Sequence, residues 1–228
     1  MSSSGPQDLG IPLLLEEYLT VSPPVTSDST PLCAACHALA SSQRCSMCKE
    51  VHYCSSKCQM LDWPLHKLLC RHSTASSRPD PANRRALYLP DDKDKPRFVW
   101  LKYGNDGRPF DKAKCFPTTP ADDIKTIGFH NRYLSYWIQI SYDSNPSGRD
   151  LKRNMSIKSV WFGPLVVIVY SAEEGLSKPA LDIQVGALRP VVEYLRLRSE
   201  YRGLIFVEQP QEQYGEEEWK KLLAQEKK

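Results

Sequence analysis

Apolar and polar positions alternate along Arg97–Tyr103, a stretch rich in β-formers, and Asn105-Asp106-Gly107 follows directly. The alternation predicts a strand, and the turn residues predict a hairpin returning through Phe110–Phe116. Tyr133–Tyr142 is a second aromatic and β-branched run. Leu165–Tyr170 is unbroken apolar sequence, the pattern of a strand buried on both faces. The period then changes. Leu188, Val191, Val192 and Leu195 recur at helical spacing, with Pro190 placed to occupy a first turn. Gly203 suits the helix stop and Leu204–Val207 a short final strand. Strands plus one helix predict an α+β domain over residues 96–208, followed by a charged, partly helical tail over 209–228.

Upstream, the periodicity is poorer. Residues 1–31 are rich in Ser, Pro and Thr and predict a disordered tail, with a short amphipathic piece at Ile11–Leu19. Residues 72–95 contain Pro79, Pro81 and Pro90 and are expected to be a linker. Between them, residues 32–71 are dominated by cysteine.

Seven of the eight cysteines lie between Cys33 and Cys70; the eighth, Cys115, stands apart. The spacing is Cys33-x2-Cys36-x8-Cys45-x2-Cys48-x5-Cys54-x3-Cys58-x7-His66-x3-Cys70. A C-x2-C pair on a tight knuckle points both sulfurs at one place. Cys54 and Cys58, like His66 and Cys70, are four apart, which on a helix puts each pair on one face. Ser55 and Ser56 are available as helix caps, with Ser56-x-x-Gln59 fitting a capping box. Pro64 is placed to open a second short helix carrying His66 and Cys70. A structural zinc site takes four Cys or His ligands, so eight ligands serve two Zn²⁺ with none left over. Spacing alone allows the two sites to be consecutive or interleaved. His37, His52, His72 and His130 are not needed to complete either tetrahedron, and Cys115 reads as an idle or buried thiol.

The non-ligand residues agree with this spacing. Tyr53-Cys54-Ser55, then Cys58-Gln59-x-x-Asp62-Trp63-x-x-His66-Lys67-x-x-Cys70, together with all eight ligands in order, resemble a MYND-type zinc finger over 38 of the 228 residues. The resemblance implies a hairpin with two short helices and interleaved sites. Cys33, Cys36, Cys54 and Cys58 would hold the first ion, and Cys45, Cys48, His66 and Cys70 the second. It also implies a groove for an extended, proline-containing peptide, formed by Gln59 and Trp63 beside the extended segment ending at Tyr53. Transcriptional regulation is the family-level setting. The Trp161–Val167 stretch resembles, loosely, the uncharacterised regions that follow MYND fingers in small fungal proteins.

Charge and composition narrow the function classes. The formal charge is +3, and seven thiolates on two Zn²⁺ would bring it to about zero, which argues against a polyanion as the partner. Arg71, Arg78, Arg84 and Arg85 near the finger keep a nucleic-acid-binding regulator as the alternative. MYND fingers also occur inside SET-type lysine methyltransferases, but 32 residues precede Cys33 and no matching substrate or cofactor motif is present. No nucleophile elbow, P-loop or dinucleotide glycine pattern occurs either, so the sequence reads as non-enzymatic. No signal peptide is visible, and the longest apolar stretch, Val160–Tyr170, is far short of the ~20 residues of a spanning helix. An intracellular protein, nuclear or cytoplasmic and without a membrane partner, is expected. Its finger is expected to fold on structural zinc and to dock a partner protein, and chelation is expected to unfold residues 32–71 while sparing the domain over 96–208.

Overall fold

The computed structural model describes residues 31–200, apart from 40–42, 73–76, 94, 105–106, 117–118, 126, 131, 144–151 and 158–160. The expected N-terminal tail, the strand at Leu204–Val207 and the C-terminal tail lie outside the described residues. Among the described residues, nine strands and two α-helices run in chain order: β1 (Gln43–Arg44), β2 (His52–Tyr53), α1 (Ser56–Leu69), β3 (Asn83–Leu89), β4 (Arg97–Lys102), β5 (Pro120–Lys125), β6 (Gly128–Phe129), β7 (Arg132–Tyr133), β8 (Tyr136–Asp143), β9 (Leu165–Ser171) and α2 (Leu188–Glu200). The chain is thus α+β: a small cysteine-rich unit of β1, β2 and α1, followed by a β-rich domain.

The domain is built on an antiparallel five-stranded sheet in the order β4-β3-β9-β8-β5. Leu165–Tyr170 does form its central strand, and all six residues are buried. Because side chains alternate across a strand, β9 feeds two cores. Leu165, Val167 and Val169 face a layer holding α2 and the cysteine-rich unit, while Val166, Ile168 and Tyr170 face Leu101, Tyr103 and Phe116 on the other side. The helix expected from Leu188, Val191, Val192 and Leu195 is α2, and all four side chains are buried.

Several elements depart from the sequence expectation. The expected linker over 72–95 contains β3, which pairs with both β4 and the central β9. Its arginines mask the strand pattern. Arg84 donates to the carbonyls of Pro81 and Asn83, and Arg85 lies 4.4 Å over the Phe98 ring while pairing with Glu50 at 3.0 Å. A guanidinium so stacked and paired is compatible with a half-buried strand. The return arm of the hairpin is reduced to a Tyr103–Pro109 bridge followed by a 3-10 turn at Lys112–Cys115. The Asp111 carboxylate accepts from the Lys102 N–H at 2.9 Å, taking the donor that a return strand would use. β5 was not expected, because it carries Asp122-Asp123. It is an edge strand, and Asp122 accepts from Ser141 Oγ and Lys112 Nζ, each at 2.6 Å.

One polar latch closes the long connection into β9. Asn154 is fully buried; its Nδ2 donates to the carbonyls of Leu89 and Gly163, and its Oδ1 accepts from the Ser156 N–H. Asn154→Ala leaves those buried backbone groups unpaired and is expected to cost about 2–4 kcal/mol, read as a lower denaturant midpoint at unchanged m-value.

Candidate metal centre

The cysteine-rich unit is organised by two knuckles and one helix. In the first knuckle the His37 N–H donates to the Cys33 carbonyl at 2.8 Å; in the second the Lys49 N–H donates to the Cys45 carbonyl at 3.0 Å. Both closing residues sit in the left-handed region, His37 at φ 57° and Lys49 at φ 56°. The two C-x2-C pairs therefore adopt the same turn, which curls their sulfurs inward.

The helix differs from the expected pair. α1 runs unbroken from Ser56 to Leu69, with Pro64 inside it. The cap is Ser55, whose hydroxyl accepts from the Cys58 N–H at 3.2 Å, rather than Ser56. An internal proline removes one intrahelical donor. Here Pro64 and Met60, whose carbonyl loses that donor, are both exposed. The buried face carries Asp62, His66 and Leu69, and the packing of that face outweighs the proline.

Two four-residue clusters result: Cys33, Cys36, Cys54 and Cys58, and Cys45, Cys48, His66 and Cys70. Within each, the ligand atoms all lie within 4.8 Å of one another. The pairing is thus interleaved rather than consecutive, and α1 links the sites by giving Cys58 to the first and His66 to the second, with Cys70 at its C-terminal cap. In the first cluster Cys36 Sγ is 3.6 Å from Cys54 Sγ, and Cys54 Sγ is 3.5 Å from Cys58 Sγ. In the second, Cys45 Sγ is 3.7 Å from Cys70 Sγ, and His66 Nε2 is 3.3 Å from Cys45 Sγ and 3.8 Å from Cys48 Sγ. A zinc–sulfur bond of about 2.3 Å in a tetrahedron separates sulfurs by about 3.8 Å, so both donor sets fit Zn²⁺. A disulfide would need about 2.05 Å; all of these cysteines are free.

The thiol acidities show the same need for a cation. Burial opposes the Cys45 thiolate, but the Cys48 and Met47 backbone N–H groups, then His66 and Cys70, outweigh it and bring its pKa down to about 6. Cys33, likewise opposed by burial but favoured by backbone N–H groups from Cys36, Cys54 and Ala35, falls to about 7. Burial, with neighbouring sulfurs adding to it, pushes Cys36 and Cys70 up to about 12. One thiolate per cluster is thus favoured and two others are penalised, Cys36 and Cys58 in the first and Cys48 and Cys70 in the second. A bound dication reverses that penalty. The zinc is structural: four protein ligands close each site and leave no position for an activated water.

The sites are not alike. All four ligands of the second are buried, whereas three of the four in the first are part-exposed. Tyr53, expected to border a peptide groove, is instead fully buried, and its hydroxyl donates to Asp62 Oδ2 at 2.8 Å. Its side chain belongs to the core of the finger, leaving only its backbone to the groove. Gln59 is part-exposed and Trp63 is 47% exposed on the outward side of α1, with the Trp63 ring 5.9 Å from the His66 ring. His37 is not a ligand: its Nδ1 bonds the Phe129 carbonyl at 2.9 Å and ties the first knuckle to β6. Cys115 lies in neither cluster, and burial pushes its thiol up. Arg78 pairs with Asp182, Arg85 with Glu50, and Arg84 bonds nearby carbonyls, so these arginines are engaged within the fold.

These features define a finger with two interleaved structural zinc sites. Residues 33–70 match the family model described as the MYND finger, and this segment is a MYND finger. A zinc finger MYND domain-containing protein 10 homolog from Drosophila melanogaster is 54% identical over 43 residues, covering 19% of this chain and 9% of that protein. The SET domain and MYND-type zinc finger protein 6 of Schizosaccharomyces pombe is 43% identical over 54 residues, 23% of this chain and 11% of that protein. Ubiquitin carboxyl-terminal hydrolase 15 of Arabidopsis thaliana is 45% identical over 53 residues, 23% of this chain and 6% of that protein. The chain therefore spans at most about a ninth of the length of these relatives. No solved structure matches the chain. MYND fingers are typically protein-interaction modules, and some proteins that carry one are enzymes by name. Among the described residues, no helix is long and apolar enough to cross a membrane.

Proposed function

We propose that this chain is a non-enzymatic adaptor or regulator whose finger binds an extended, proline-containing peptide of a partner protein. The observation that carries this reading is the exposed apolar surface on α1. Gln59, Trp63 and Lys67 are spaced four apart and so form one column along the helix, and Met60 beside them is 69% exposed. A tryptophan held half out of water by a zinc-braced helix costs hydrophobic free energy unless it is covered when the protein works. The Gln43 side chain of β1 lies against Ser56 at the start of α1, so the hairpin edge borders the same surface. Among the described residues β1 pairs only with β2, which leaves its outer edge for backbone bonds to an extended peptide.

The test is a titration of the zinc-loaded full chain with proline-containing peptides and with copies in which proline is replaced by alanine. Saturable binding that the replacement weakens supports the reading. Equal affinity for both sets, or none for either, contradicts it.

A further inference from the structure

The second zinc site is gripped from outside the finger. Asp62, one turn before His66, is buried, and its Oδ1 accepts from Arg189 Nε of α2 at 2.8 Å. Arg189 Nη2 donates to the Leu61 carbonyl at 2.6 Å, and its Nη1 donates to Glu193 Oε1 at 2.6 Å. On its other oxygen Asp62 accepts from Tyr53 and lies 4.0 Å from His66 Nδ1. That ring nitrogen is buried and without a hydrogen bond, while Nε2 faces the sulfurs of Cys45 and Cys48. A second carboxylate flanks the same site. Glu50, two residues after Cys48, pairs with Arg85 at 3.0 Å and accepts from the Val185 N–H at 3.0 Å.

We propose that Arg189 is a positioning residue for the second metal site, acting through Asp62, so that the β-rich domain sets how tightly this finger holds its second ion. The physical chain is short. A ligating histidine must keep its proton on Nδ1 and its lone pair on Nε2, and a carboxylate on the Nδ1 side favours that state. A buried carboxylate beside a thiolate-rich site is itself costly unless a cation offsets it. Arg189 supplies that cation and, by also holding the Leu61 carbonyl, fixes the turn of α1 on which Asp62 sits. The first site has part-exposed ligands, and none of its residues touches Arg189 in these contacts, so its ion leaves first. Metal retention at this site is independent of peptide binding.

The experiment follows metal release from the full chain into excess chelator. Cobalt substitution separates the sites, because a sulfur-only site and a site with one nitrogen ligand have different absorption bands. The wild-type chain is expected to release its metal in two phases, with the sulfur-only site first. In Arg189→Ala the nitrogen-containing site should release on the order of 10–100-fold faster, with the sulfur-only phase unchanged. Arg189→Lys keeps the charge but not the fork, and its rate should fall between the two. Trp161→Phe removes a different anchor of α2, the Nε1–H bond to the Leu195 carbonyl at 2.8 Å, without touching Asp62, and should leave both phases alone. An unchanged second phase in both Arg189 variants would overturn the proposal. So would an equal acceleration by Trp161→Phe, which would reduce Arg189 to a general prop of α2.

Discussion

Stripping both metal ions from the full chain is expected to destabilise the β-rich domain along with the finger. The small core of the zinc-dependent finger leads the sequence reading to the opposite expectation, a finger that unfolds while the domain over 96–208 survives. The structure argues for the joint loss, because finger and domain share one apolar core. Cys45, Val51, Tyr53 and Leu69 of the finger share one apolar cluster with Leu87, Ile138, Val167, Val191 and Leu195 of the domain. Two charged contacts, Asp62 with Arg189 and Glu50 with Arg85, cross the same junction. Structural zinc in finger peptides contributes on the order of 10–16 kcal/mol at neutral pH, while a whole domain is stable by about 5–15 kcal/mol. Losing the first removes one wall of the core that supports the second. Thermal unfolding followed by circular dichroism should show a single transition at markedly lower temperature after chelation, restored by added zinc. A domain transition that stays where it was would contradict the shared core.

Trp63→Ala should abolish peptide binding while leaving the fold and the zinc content intact. Half of Trp63 is already in water, so its truncation removes little buried area compared with a core tryptophan. Its ring lies 5.9 Å from the His66 ring, while the His66 ligand atom, Nε2, faces Cys45 and Cys48 on the metal side. At an interface the same truncation removes an aromatic anchor, which typically costs 2 kcal/mol or more, a loss of affinity of about 30-fold or greater. Isothermal titration, with zinc measured on each sample, checks both halves. A variant that loses binding together with a zinc ion would place Trp63 in the metal framework rather than on the docking surface.

The metal sites were legible because ligand chemistry leaves no slack: eight donors at knuckle and helical spacing admit few arrangements. Choosing between interleaved and consecutive sites needed the fold, since it depends on where α1 returns across the knuckles. Leu165–Tyr170 and the Leu188–Leu195 period were legible because strands and helices buried on broad faces must be apolar there. β3 was hidden because Arg84 and Arg85 spend their charge on carbonyls, a ring and Glu50, partners that sequence does not place nearby. The continuity of α1 through Pro64 was hidden for a similar reason, since its buried face outweighs a local preference. The burial of the Tyr53 side chain was not legible, because an aromatic beside a ligand reads equally well as groove or core until Asp62 is found beneath it. Arg189 was missed altogether. It lies far along the chain from the finger, and only the packing of α2 on α1 brings it to Asp62.

In the proposed function, a zinc-braced helix face held on the β-rich domain is the docking surface. Hydrogen exchange on the zinc-loaded full chain, with and without a saturating proline-containing peptide, tests it most directly. Added protection should fall on the described residues of β1 and on the outward turns of α1 around Gln59, Trp63 and Lys67, with the sheet unchanged. Protection confined to the edges of the five-stranded sheet, or none on the finger, would contradict it.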